Sequence, residues 1–422
     1  MRPARLVQMA FGIRFDDAMW GCDDVSLATL ATEVGTPTYV YSATDIEERY
    51  HRLDAALGAY PHAIHYALKA NSTLAVVRLL RQAGSLADAN SGGEIEVALR
   101  AGFMPDQIVL TGVGKTEQEL DRAIRLGVRT INAESAGEVD RIEALAVAQG
   151  ARARVAVRIN PDVDARSHPH ISTGLKATKF GVAIDEAREL CRRIAGSATL
   201  ELAGLHVHVG SQIGTLGPVR RAVGAAVALA TALRAEGMAV EEVDVGGGLG
   251  IDYGIAPVPT LEEYATALLE IVRPSSLRLV VEPGRSIVGP AGALLTRVVD
   301  VKPRGPDGWC VVADAGMTDL MRPALYGAYH RIVPLTRRQT ARVHCDIVGP
   351  VCETSDTLGT AREMPRPEPG DLLAVLDVGA YGSAMASNYN RRPMPAEVLV
   401  RGARWELARR RQTVDDMLAC EP

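Results

Sequence analysis

Eight short apolar runs recur along the middle of this chain, at 64–68, 86–89, 108–111, 129–132, 154–160, 203–209, 242–246 and 278–282. Each has the length of a strand, and the stretches between them carry helical spacing, as in Leu74, Val77 and Leu80. Strands that alternate with helices run parallel, because each helix returns the chain to the same end of the sheet. Eight such units predict an α/β fold, a TIM-like (β/α)8 barrel over residues 46–286. An open doubly wound sheet is the alternative, since strand limits read from one sequence shift by several residues.

After Pro290 the texture changes. Ala293–Val301, Trp309–Asp314, Arg342–Val348 and Leu372–Val378 are strand-like, separated by Pro/Gly-rich turns with little helix. They predict a C-terminal, mostly β domain over residues 287–422. Pro365 to Gly370 reads as a stiff surface connector. In the N-terminal segment, 1–45, the run Pro37-Thr38-Tyr39-Val40-Tyr41 is a short strand expected to complete that β domain.

A chain of 422 residues is long enough for two or three domains and a large core. Its formal net charge of −5 gives no reason to expect nucleic acid or an anionic membrane as partner. No apolar run approaches the roughly 20 residues that cross a bilayer, so no membrane span is expected. Met1 to Gly12 shows neither a sustained apolar region nor a small-residue cleavage site, so no secretory signal is expected. Six cysteines, Cys22, Cys191, Cys310, Cys345, Cys352 and Cys420, lack paired or metal-type spacing, which suits a reduced cytoplasmic compartment.

In barrels of this kind the active site lies at the C-terminal ends of the strands, with a phosphate site after strands seven and eight. Lys69 follows strand one, in Tyr66-Ala67-Leu68-Lys69-Ala70-Asn71, and Asp88 sits near the end of strand two. Arg158 ends strand five, and His206 and His208 end strand six. Gly246-Gly247-Gly248 follows strand seven, and Glu282-Pro283-Gly284-Arg285 follows strand eight. One rim thus collects a lysine, a glycine-rich turn and a carboxylate, the parts pyridoxal 5'-phosphate requires. The lysine forms a Schiff base, backbone N–H groups hold the phosphate, and the acid fixes the charge of the pyridine nitrogen.

Each residue alone has a plainer reading. A lysine after a strand is usually solvated, and three glycines are usually a tight turn. His206 and His208 share a strand face, yet no third ligand at suitable spacing supports a metal, so none is expected. One histidine stacks on a planar cofactor and the other packs structurally. Asp88 either caps a loop or supports the site, and Arg158 is expected to pair with Asp88 or Glu282. Glu282 bears on the reaction: a carboxylate that keeps the pyridine protonated makes a strong electron sink, which suits decarboxylation, whereas a racemase is better served by a cation. A salt bridge from Glu282 to Arg285 is the alternative, but adjacent turn residues face each other poorly.

The motifs are similar to those of the diaminopimelate decarboxylases, in the alanine-racemase-like (fold type III) class of pyridoxal phosphate enzymes. They are YALKAN at 66–71, NSGGE at 90–94, NPDVDARSHPHISTGLKATKFG at 160–181, GLHVHVGSQ at 204–212, DVGGGLG at 244–250 and EPGR at 282–285. The later region adds DAGMTDLMRPALYGAYH at 314–330, GPVCETSD at 349–356 and DVGAYGSAMASNYN at 377–390. The resemblance implies a TIM-like barrel followed by a β domain, in a homodimer whose active sites lie at the subunit interface.

Carried onto this sequence, Lys69 resembles the Schiff-base lysine, and His208, with Ser211 nearby, the residue stacked on the cofactor. Gly246, Gly247, Gly248, Glu282, Pro283, Gly284 and Arg285 match the cofactor-binding segments. Arg285, Arg322, Tyr326, Glu353 and Tyr381 match substrate contacts, with Tyr381 also near the phosphate. Cys352 matches the acid that reprotonates the α-carbon from the partner subunit; its plainer reading is a buried apolar thiol, though its neighbours suggest a polar turn. Two arginines suit a second carboxylate and Glu353 a distal ammonium, which points to meso-2,6-diaminopimelate and its decarboxylation to L-lysine. The rivals are the same chemistry on another amino acid or a carrier-linked acyl group, a cofactor-binding regulator without catalysis, and a racemase.

Overall fold

The computed structural model describes residues 12–16, 19–164, 179–305 and 308–422. Residues 165–178 of the long 160–181 motif, and most of the segment read for a secretory signal, lie outside the described residues. Two compact units emerge: 49–252 with 257–286, and 1–48 with 253–256 and 287–422.

The first unit is a closed barrel of eight parallel strands in chain order: His62–Ala67, Leu86–Ala89, Ile108–Leu110, Thr130–Ala133, Ala153–Ile159, Leu200–Val207, Glu242–Asp244 and Arg278–Val281. Val280 beside Ala63 and Val281 beside Ile64 join the eighth strand to the first. Closure removes both sheet edges and excludes the open sheet. The strands are buried nearly throughout, because helices cover the outside and side chains fill the inside. Helix starts are written locally: Thr116 caps Glu117–Leu126 reciprocally with Glu119, and Thr260 caps Leu261–Val272 with Glu263. Helix Glu117–Leu126 ends at Gly127, whose φ of 69° closes the last turn in a conformation that costs other residues strain.

Helix Leu216–Ala235 is long and apolar enough, by length and composition, to cross a membrane. No stretch of this kind was expected from the sequence, because Arg220 and Arg221 break its apolar character near the start. Here it packs Val219, Ala222, Val223, Ala226 and Leu229 against strands Leu200–Val207 and Glu242–Asp244, as a barrel helix does.

The second unit is built on a nine-stranded sheet. Its main path runs Thr357–Pro365, Arg342–Val348, Gly308–Ala313, Gly292–Arg304, Thr38–Ser42, Ala396–Arg401, Arg404–Arg409. Leu372–Leu376 pairs with both Gly292–Arg304 and Ile332–Pro334. The expected N-terminal strand takes a central place, all five residues buried, antiparallel to Gly292–Arg304 and parallel to Ala396–Arg401. Val40, Ala293, Leu295, Ala374, Val398 and Val400 form the core with Leu27, Leu30 and Ala31 of helix Leu27–Glu33. Strands 357–365, 396–401 and 404–409 were not expected from the sequence: 357–365 and 404–409 mix charge with half-exposure, whereas 396–401 is buried except at Arg401.

Candidate active site

Lys69 stands on the single helical turn Leu68–Ala70 that follows the first barrel strand. Its Nζ donates to Asp88 Oδ2 at 3.2 Å and to Asn90 Oδ1 at 3.4 Å, and Asn90 Nδ2 donates to the same Asp88 oxygen at 3.1 Å. Asp88 is fully buried, so it supports the lysine rather than capping a loop. Burial and the nearby Glu282 raise its carboxyl above the usual range, with Lys69 opposing them. The lysine side chain is 35% exposed, open to a small molecule.

Glu282 follows the eighth strand, which neighbours the first, and is 4% exposed. His206 Nε2 donates to its Oε2 at 3.4 Å, and Thr111 Oγ1 reaches Oε1 at 3.5 Å. Burial alone would raise this carboxyl, but His206, by charge and hydrogen bond, and then Lys69 hold it well below the carboxylate range. Glu282 is therefore ionised. Asp244 behaves oppositely: burial and the charge of Glu282 push it well up. Ligating atoms of His206, Asp244 and Glu282 all lie within 4.8 Å of one another. Strands six, seven and eight thus bring together the three-residue group that spacing did not reveal.

His208 is half-buried, and its Nδ1 accepts the Gly247 N–H at 3.2 Å. Burial, then Lys69 and Arg158, lower its pKa well below the ordinary histidine value, which leaves a neutral, flat ring. The glycines around it are there for close approach. A Cβ on Gly247 would stand 2.1 Å from the Glu282 carbonyl oxygen, and one on Gly248, at φ 101°, would stand 2.2 Å from that of Gly210. The Glu282 N–H donates to the Gly246 carbonyl at 2.8 Å and the Ala67 N–H to that of Pro283 at 3.1 Å. A Cβ on Gly284 would meet that of Ala70 at 2.8 Å, so this turn lies directly on the lysine turn. Arg285 Nη2 donates to Ser211 Oγ at 3.0 Å rather than pairing with Glu282.

Arg158 departs from expectation. Its Nη1 pairs with Glu134 Oε1 at 2.7 Å, both side chains at most 5% exposed, and not with Asp88 or Glu282. Glu134 Oε2 also accepts the Gly181 N–H at 2.9 Å, and the guanidinium lies 4.6 Å from the Phe180 ring centroid. Strands four and five are neighbours, which puts Glu134 nearest. The residues that sequence reading missed are Asn90, Thr111, Asn132, Glu134 and Asp244. Each sits at or just past a strand's C-terminal end, a signal that was available.

The second unit carries the others. Cys352 is exposed, in the turn between Arg342–Val348 and Thr357–Pro365, and is no buried thiol. Beside it, Glu353 Oε2 accepts Ser355 Oγ at 3.1 Å and bonds the Tyr389 hydroxyl, also missed from sequence. Asp356 pins this turn by accepting the Met317 and Val351 N–H groups at 2.5 and 2.6 Å. Arg322 is buried, with Nη1 2.9 Å from both Tyr253 Oη and His330 Nε2. Tyr326 and Tyr381 are half-buried, and Tyr381 adopts φ 58°.

Residues 43–289 match the family described as "Pyridoxal-dependent decarboxylase, pyridoxal binding domain". The chain is 45% identical to the diaminopimelate decarboxylase of Vibrio cholerae over 97% of its own length and 98% of that protein's. It belongs to the diaminopimelate decarboxylase family. Among solved members of the family, the enzyme from Helicobacter pylori complexed with L-lysine is 40% identical, with a TM-score of 0.90 over 93% of this chain and 98% of that one. The one from M. jannaschii in co-complex with L-lysine is 36% identical, with a TM-score of 0.93 over 98% of each chain. The cofactor is pyridoxal 5'-phosphate. The barrel fits it: a primary amine, an ionised carboxylate and a neutral ring share the mouth with a glycine turn that no Cβ could enter. His206 Nδ1, buried there, has no hydrogen-bond partner among the described residues.

Proposed function

We propose that this chain removes the carboxylate from the D-centre of meso-2,6-diaminopimelate, releasing L-lysine and CO2. The carrying observation is Lys69 held by Asp88 and Asn90 in the same barrel mouth as an ionised Glu282. When bound, pyridoxal phosphate supplies the sink for the electron pair left behind by CO2. Lys69 is the amine that takes the cofactor's aldehyde, and Asp88 and Asn90 orient it. Glu282 would hold a proton at the pyridine nitrogen, His208 would offer its flat face to the ring, and Ser211, Gly246 to Gly248 and Pro283 to Arg285 would hold the phosphate. Tyr381 serves the phosphate as well.

The substrate's two ends then need opposite partners. Arg285 and Arg322 suit its distal carboxylate, Glu353 its distal ammonium, and Tyr326 and Tyr381 its polar flanks. Ornithine or lysine would leave the arginines unmatched. The Cys352 thiol delivers a proton to the α-carbon; its exposure in a polar turn supports that task. L-Lysine bound in the Helicobacter pylori and M. jannaschii relatives matches the product. In this reading residues 46–286 bind the cofactor, residues 287–422 supply substrate and proton-donor groups, and segment 1–45 completes the β domain. The working form is a cytoplasmic homodimer with active sites at the subunit interface.

The test is CO2 and L-lysine release from meso-diaminopimelate, beside lysine, ornithine and arginine. Lys69→Ala is expected to lose the cofactor's visible absorbance and turnover together. Faster CO2 release from ornithine or arginine, racemisation without CO2, or full turnover by Lys69→Ala would overturn the proposal.

A further inference from the structure

We propose that Asp244 is a positioning residue that keeps its own proton and donates it in a hydrogen bond to Glu282. This rests on the proposed role of Glu282 as partner of the cofactor's ring nitrogen.

The argument begins with register. His206 stands directly beside Asp244 on neighbouring strands, and Asp244 pairs with Val280, two residues before Glu282. All three side chains are buried, at most 5% exposed. Two carboxyl groups with oxygens within 4.8 Å of each other, shielded from water, do not both stay ionised. One proton must be held between them.

Its place follows from the partners of each. Glu282 has the His206 N–H, the Thr111 hydroxyl and the nearby Lys69 charge to stabilise an anion. Asp244 has the Gly246 N–H on Oδ1 at 2.9 Å, and among the described residues no lysine or arginine forms an ion pair with it. The proton therefore belongs on Asp244. Burial and the neighbouring negative charge favour the same neutral form. The remaining charged or titratable groups facing this cluster are Asp88, Lys69, His65, His208 and the buried Tyr264 hydroxyl, of which Asp88 is the rival holder of a proton.

A neutral acid does here what an ionised one could not. It adds a donor to Glu282 without adding negative charge, and each donor makes that carboxylate less basic. A less basic Glu282 leaves the shared proton on the pyridine nitrogen, where it is useful.

Infrared spectra of the purified full-length holoprotein at neutral pH test this. The protonated-carboxyl C=O band is expected in the wild type, lost in Asp244→Asn and kept in Asp88→Asn. Cofactor dissociation gives a second reading. Asp244→Val, which removes the donor, should weaken binding roughly tenfold to a hundredfold, as loss of one hydrogen bond to a charged group implies. Asp244→Asn, whose amide still donates, should weaken it less. Absence of the band in the wild type, or its survival in Asp244→Asn with loss in Asp88→Asn, overturns the inference. The band is read without substrate, so a failure of the proposed reaction would show separately, as no CO2 release beside an assigned band.

Discussion

Lys115→Met isolates the cost of one buried charge in the wall of this site. Lys115 Nζ donates to the carbonyls of Gly112 and Asn132, both at 2.7 Å, and to Glu138 Oε1 at 2.6 Å. The two charged side chains are 3% and 2% exposed. Burial lowers the lysine's pKa and raises the glutamate's, while their pairing opposes both. Methionine fills the space and removes the charge, so Glu138 must either stay ionised alone or take up a proton. Neutralising a carboxyl of ordinary pKa about 4.3 at pH 7 costs about 3.7 kcal/mol at about 1.36 kcal/mol per unit, which caps the penalty for that group. Two carbonyls that lose a donor add about 1 kcal/mol each. The expected destabilisation is about 5–6 kcal/mol near neutral pH, at the upper end of what broken buried pairs cost.

The sign with pH is fixed. An acid whose folded pKa lies above its unfolded one loses stability as pH rises between the two. The deficit should therefore shrink by about 2.7 kcal/mol on going from about pH 7 to about pH 5. Urea unfolding followed by far-UV circular dichroism is the assay, because Trp20, Trp309 and Trp405 all lie in the other unit and do not report on the barrel. Lys115→Met/Glu138→Leu should recover much of the loss. A single variant within about 1 kcal/mol of wild type, or a deficit that ignores pH, refutes the reasoning.

His65 is fully buried, neither ring nitrogen has a hydrogen-bond partner among the described residues, and burial lowers its pKa to about 3. The unfolded chain takes up a proton there below about pH 6.5 that the fold refuses, so His65→Leu should gain about 2 kcal/mol on wild type between about pH 7 and pH 5; a pH-independent difference in urea midpoints would count against this. Gly247→Ala should displace the Glu282 turn and weaken cofactor binding, whereas Gly224→Ala, with open space around its Cβ, should bind normally and gain up to about 1 kcal/mol. Equal dissociation constants for the two variants would contradict the close-approach argument. Cys352→Ala should retain the cofactor spectrum yet lose roughly 10²–10⁴-fold in turnover, as loss of a positioned acid implies, and undiminished CO2 and L-lysine release would remove the thiol from the reaction.

Much of the site was legible because barrel strands end where their chemistry begins. Lys69, Asp88, His208, Gly246 to Gly248 and Glu282 each follow an apolar run, and a single local pattern marks both the strand and its rim residue. The strands at 357–365 and 404–409 were not legible, because edge and half-exposed strands dilute the apolar signal with charge.

By itself, the order of residues determined the eight-unit barrel, the β character of the region after Pro290, the recruitment of the strand at Thr38–Ser42, and the place of Lys69 at the barrel mouth. These follow from periodicity and residue chemistry, which act over a few neighbours. Tertiary structure decided the pairings. Arg158 went to Glu134, and His206, Asp244 and Glu282 converged from three strands across 76 residues of chain. Barrel closure and strand register set which rim residues face one another, and the charge each buried group carries depends on that company.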